Sequence, residues 1–191
     1  MDAEIKKLFF DAAVESPGGW LLMAIELKSA ADRLDWVEKP ITEKEVALSL
    51  IKPYRLLIAL SIENLIKGIL VADGLPVLVR GKFSRDLDDH DLARLASKLH
   101  CKDISVSPEE LALLTDQKKY IEWAGRYPLP KSSGNYEAVS HGTREHHAEL
   151  ALWKKLYDHL YRVAWVMKGG PSESGGYRLY FDRPTNPDVA S

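Results

Sequence analysis

The stretch from Pro53 to Gly74, PYRLLIALSIENLIKGILVADG, constrains this chain more than any other. It is long and apolar without strand-like alternation, so it reads as a buried helix, yet Arg55, Glu63 and Lys67 interrupt it. Glu63 and Lys67 stand four residues apart and therefore share a helix face with Leu56, Leu60 and Leu70. Unneutralised charges on a face meant for burial are costly, which makes the pair a candidate for a ligand site or a dimer seam. The plain alternative is an ordinary i,i+4 ion pair on a partly exposed side, worth about 0.2–0.5 kcal/mol. The same charges leave fewer than the roughly 18 consecutive apolar residues that a crossing helix requires, so no membrane span is expected.

A chain of 191 residues is long enough for one domain with its own core. Its 46% hydrophobic and 28% charged residues are those of a globular protein rather than a disordered or fibrous one. Cys101 is the single cysteine, which excludes an internal disulfide framework and a cysteine-rich zinc site and suits a cytoplasmic setting. A formal charge of −2 supplies no whole-molecule field for phosphate backbones, so nucleic-acid binding needs a local patch. The opening MDAEIKKLFFDAAVESPGG mixes acids with its lysines and does not read as a secretory signal.

Apolar residues at three- and four-residue steps predict further helices. A short one covers residues 4–14 and ends at Ser16-Pro17-Gly18-Gly19; a longer one runs from Trp20 to about Trp36. Thr42 and Glu45 fit a capping box, after which Pro53 predicts a kink or a fresh start before the central helix closes at Asp73-Gly74. Leu75–Phe83 reads as a small extended excursion. Asp88 or Asp89 is expected to cap the helix carrying Leu92, Leu95, Ala96 and Leu99. Ser107-Pro108-Glu109-Glu110 is a stronger start signal for a helix reaching Gly125. Residues 128–142 read as a surface loop, Thr143 opens the last long helix, and Gly169-Gly170 ends it. The expected fold is all-α, an up-and-down bundle of four to five helices over residues 1–168, followed by a Gly/Ser/Pro-rich tail over 169–191 in which Tyr177–Phe181 alone is suited to ordered packing.

The order of the motifs adds a resemblance. An E-x-x-x-K pair at Glu63 and Lys67 comes first, then His90-Asp91-Leu92 leading into a helix, then Arg126-Tyr127-Pro128 closing the next helix, and then one more long helix. This set, spanning roughly residues 20–168, resembles the HEPN superfamily. The resemblance implies a helical bundle, frequently a homodimer, that binds nucleotide, RNA or a protein partner in toxin–antitoxin, phage-defence or RNA-processing systems. A nucleotidyltransferase or an antitoxin is the partner it suggests. Some members are metal-independent ribonucleases, which carry Arg followed four to six residues later by His near the start of the last long helix. The chain departs there: in His141-Gly-Thr-Arg144-Glu-His146-His147 the histidines follow Arg144 too closely. The spacing occurs once, at Arg85-Asp-Leu-Asp-Asp-His90, before a different helix.

The candidate ligand-binding residues are thus Glu63, Lys67, His90, Arg126 and Tyr127; the candidate catalytic pairs are Arg85 with His90 and Arg144 with His147. The imidazole of His90 can take a proton from a ribose hydroxyl while a guanidinium steadies phosphate charge. Against this, Asp88, Asp89, His90 and Asp91 also suit the first turn of a helix, and three aspartates oppose phosphate. Arg126 and Tyr127 offer a planar fork and a stacking ring, or simply end a helix. His146 and His147 point about 100° apart on a helix and cannot easily share an ion, so neither a metal nor another cofactor is expected. Trp153, Tyr157, Tyr161 and Trp165 recur every four residues, a packing or dimer face before a base-stacking platform. No Walker loop, nucleophile elbow or paired-cysteine motif occurs. The three function classes that remain are a binding domain, a ribonuclease and a structural helical adaptor.

Overall fold

The computed structural model describes Lys6, Lys7, Phe10 and residues 16–34, 44–99, 104–125, 143–164, 166–171 and 177–182. Within these the protein is mostly helical: α1 (Pro17–Arg33), α2 (Lys44–Ala72), α3 (Leu92–Ala96), α4 (Pro108–Lys119) and α5 (Thr143–Val163). Two antiparallel ribbons accompany them, β1 (Leu78–Val79) with β2 (Lys82–Phe83), and β3 (Val166–Pro171) with β4 (Tyr177–Asp182).

Helix α2 is the axis. No residue from 50 to 72 is exposed, because α1, α3, α4 and α5 all pack on it. Ile58, Ile62, Leu65, Ile66 and Ile69 are fully buried there, against Leu21 of α1, Leu92 and Leu95 of α3, Leu114 of α4 and Leu152, Leu156 and Leu160 of α5. Burying such side chains contributes roughly 1.5–3 kcal/mol each relative to exposure. That gain explains why the helix continues through Pro53 instead of restarting there: an interior proline costs about 3 kcal/mol, less than the burial of Tyr54, Arg55 and Ile58 just beyond it secures. A Schellman closure ends α2, with Leu75 N–H donating to Leu70 C=O at 2.9 Å and Gly74 N–H to Val71 C=O at 3.0 Å. Gly74 has φ +93°, as the motif requires.

A polar thread ties three helices together inside this core. Trp153 Nε1 of α5 donates to Ser61 Oγ at 2.7 Å, and Ser61 Oγ donates to the Ala24 carbonyl of α1 at 2.6 Å. The recurrent aromatics of α5 stack along their own helix, Trp153 on Tyr157 with centroids 4.9 Å apart and Tyr157 on Tyr161 at 5.7 Å. Lys28 of α1 lies over the Trp153 ring, with Nζ 5.4 Å from its centroid.

Several local expectations are met and others corrected. Ser107 caps α4 in a full capping box with Glu110. After Lys119 the chain widens into one π-helical turn, Tyr120–Ala124. The cap of α3 is Asp91, which accepts from Arg94 N–H, rather than Asp88 or Asp89. His90 therefore precedes the helix instead of belonging to its first turn. Helix α5 stops at Val163, short of Gly169, and its expected continuation becomes β3, paired from Val166↔Asp182 to Pro171↔Tyr177. The tail thus contains one arm of a hairpin, built where Val166 and the Tyr177–Phe181 run favour pleated backbone. The expected helix over residues 4–14 and the Thr42 cap lie largely outside the described residues.

Gly68 lies where α1, α2 and α5 approach closely. A Cβ placed there meets Leu160 Cδ2 at 2.6 Å and Trp20 Cβ at 2.9 Å. Gly68→Val should destabilise the fold by about 1–3 kcal/mol, since overpacking outweighs the better helix propensity of valine; chemical denaturation that shows an unchanged midpoint would contradict this packing.

Candidate functional site

Three residues singled out in the sequence meet at one place. Lys67 Nζ donates to Glu63 Oε1 at 2.6 Å, and both side chains are buried, 6% and 7% exposed. His90 Nδ1 lies 3.1 Å from Glu63 Oε2. A carboxylate only accepts, so Nδ1 carries the hydrogen and Nε2 is the ring's second polar atom. The His90 side chain is 57% exposed, which makes it the outward edge of an otherwise sealed pair.

The aspartates on either side of His90 are not left to repel an anion. Asp89 Oδ2 accepts from Arg94 Nε at 2.5 Å, and its Oδ1 accepts from Asp91 N–H at 2.9 Å. Asp91 Oδ2 accepts from Lys118 Nζ of α4 at 2.9 Å. Burial pushes both carboxyls upward, but the hydrogen bonds from Arg94 to Asp89 and from Lys118 to Asp91, together with a backbone N–H bonded to each and the nearby positive charges, leave both below the ordinary value. Both aspartates flanking His90 are thereby matched by a cation, while Asp88 is exposed to solvent. The remaining reactivity is that of the imidazole, a group able to accept from a hydroxyl or donate to an oxyanion.

Arg85 lies exposed on the turn leading to His90 and forms no ion pair among the described residues. No contact joins it to the ring. Arg126 and Tyr127 lie outside the described residues, as do His141 and the Arg144 side chain. His147 is exposed, whereas His146 is buried with Nδ1 3.2 Å from the Tyr54 hydroxyl. Among the described residues no group of histidines, cysteines and carboxylates is placed to hold a metal ion.

A second polar cluster was missed in the sequence. Arg55, 1% exposed, places Nη1 2.6 Å from Glu149 Oε1 and Nη2 3.0 Å from Asp116 Oδ2. Gln117 Nε2 donates to the same Glu149 oxygen at 2.5 Å, and the guanidinium lies over the Tyr120 ring, 4.8 Å from its centroid. The hub locks α2, α4 and α5 together beside the π-helical turn. Arg55 itself was visible as a charge in the most apolar helix, so a buried partner was required; nothing in the spacing indicates that Glu149, ninety-odd residues away, is that partner.

No protein family, curated protein or solved structure matches this chain.

Burial pushes the Glu149 carboxyl up to about 7 from an ordinary 4.5, against the opposing pull of Arg55 and Gln117. The folded chain therefore holds a proton that the unfolded chain releases at lower pH. The stability due to this group is full below about pH 4.5 and is lost as pH rises through about 7, a loss of about 3 kcal/mol. Thermal melts should fall between about pH 5 and pH 8, and Glu149→Gln should flatten that fall. An identical pH profile in the variant would place the titrating group elsewhere.

Proposed function

We propose that this chain is an HEPN-like helical domain that binds RNA or a nucleotide through the Glu63–His90 site. The observation supporting this reading is the imidazole held outward on a buried carboxylate–ammonium pair. A half-exposed ring alone is an ordinary surface feature; a ring whose Nδ1 is fixed by a carboxylate inside the core is oriented, and orientation is what recognition of a ribose hydroxyl or phosphate oxygen demands. The pairing of Asp89 with Arg94 and of Asp91 with Lys118 offsets two of the three aspartates whose repulsion the local sequence threatened. In this reading Arg126 and Tyr127 supply a phosphate contact and a stacking ring, and the domain acts as a homodimer or beside a nucleotidyltransferase or antitoxin in a toxin–antitoxin or phage-defence system.

The same Glu63–His90 geometry favours a second reading, metal-independent RNA cleavage. His90 would take the proton of a 2′-hydroxyl as its oxygen attacks the adjacent phosphorus, the 5′-oxygen would leave, and Arg85 would steady the phosphoryl charge. A carboxylate on the far nitrogen stabilises the imidazolium formed in that step.

Both readings are tested together. Calorimetry with a short single-stranded RNA and with ATP should give saturable binding that weakens with salt and falls at least about tenfold in His90→Ala, a change of roughly 1.4 kcal/mol. The variant should retain the wild-type circular dichroism, because the ring is largely outside the core. RNA cleaved in EDTA by the wild type and not by His90→Ala selects the second reading. An absence of binding even at low salt removes both.

A further inference from the structure

On the side of α2 marked by Asn64, a cleft of about 590 Å3 opens between α1, α2 and the β1–β2 hairpin, and neither Glu63 nor His90 lines it. This is within the ordinary size of a small-molecule site, about 300–1,000 Å3. All ten lining residues are uncharged, in a chain of which 28% is charged. Trp20 and Phe83 form an aromatic wall, with ring centroids 6.4 Å apart and planes tilted by 38°. Val77 is buried beneath, whereas Met23 and Phe83 remain 47% and 45% exposed at the rim. Large apolar side chains kept open around one concavity, in a fold that leaves no residue from 50 to 72 exposed, mark a binding surface.

Two polar side chains stand in this apolar lining, the buried Ser16 and the half-buried Asn64, and the second narrows the ligand. Asn64 Nδ2 donates to the Leu60 carbonyl at 2.7 Å, which fixes the carboxamide. Its oxygen, on a half-buried side chain lining the cleft, has no hydrogen-bond partner among the described residues. An acceptor held in an apolar cleft is satisfied by a ligand N–H or O–H. Two flat rings favour a flat ligand with which they share van der Waals area, and the lack of any ionisable group disfavours a charged one.

We propose that this cleft binds an uncharged planar nitrogen heterocycle of nucleobase size, with its ring against Trp20 and Phe83 and one N–H donated to Asn64 Oδ1. The site is separate from the Glu63–His90 site and does not depend on its assignment. Calorimetry on the full chain with adenine, indole and toluene tests it. Adenine and indole should bind saturably with Kd below about 1 mM, and toluene, which has no donor, at least about tenfold more weakly. Asn64→Leu should abolish the preference for adenine over toluene, and Phe83→Ala should weaken all three about tenfold. Phe83 stands exposed on the hairpin, so its variant should melt like the wild type, which keeps the test independent of folding. Equal affinity for adenine and toluene, no saturable heat with any probe, or unchanged binding in Phe83→Ala overturns the proposal. A dimer that Phe83→Asp converts to monomer also overturns it, because the cleft is then a contact between copies of the chain.

Discussion

The burial of α2 on every side is the constraint from which the rest of the molecule follows. A helix with no exposed residue over more than five turns cannot carry a charge without an internal partner, since an isolated buried charge costs far more than any single contact returns. Three of its charges are buried, and each is answered: Lys67 by Glu63 one turn away, Arg55 by Glu149 and Asp116 on two other helices, whereas Lys52 is only half-buried. The packing of α4 and α5 is thereby specified by direction as well as by apolar area. A register shift of either helix on α2 would leave the guanidinium buried against nothing.

How much of this could be read in advance depended on the range of each interaction. The Glu63–Lys67 pair, the Ser107 capping box and the glycine closure at Gly74 are set within five residues, and helical geometry alone decides them. The approach of His90 to Glu63 rests on packing of the loop before α3 against α2, and only the order of motifs suggested it. Two readings failed where tertiary packing overrode a local rule, and of the kink or fresh start expected at Pro53 the fresh start did not occur. Pro53 stays inside a helix because the residues after it are buried, and Asp91 rather than Asp88 or Asp89 becomes the cap because Asp89 is drawn to Arg94 and to the Asp91 amide. Beyond Val163 the helical spacing of α5 persists in sequence but gives way to β3, whose partner strand lies in a segment read as a tail. The Arg55 hub was illegible for a different reason: a buried salt bridge between distant helices leaves no periodic trace.

The two polar clusters on α2 differ in a way that bears on function. Around Arg55 a guanidinium, a carboxyl and a carboxamide meet where Arg55, Gln117 and Glu149 are all at most 1% exposed, and among the described residues the cluster reaches the surface through Asp116 and the Lys119 paired with it. Such a hub holds helices in place. Around Glu63 the buried pair is capped by a ring more than half in solvent, and the neighbouring aspartates are neutralised by cations from outside the core. Stability does not require His90, because Lys67 already balances Glu63. A polar group that the core does not need, oriented by a residue the core has paid to bury, is better explained by something that arrives from solvent than by folding. The same reasoning separates Asn64 from Ser61 on this helix. Ser61 both donates and accepts within the bundle and is fully buried, whereas the Asn64 carboxamide donates to its own helix, and its side chain lines a cleft.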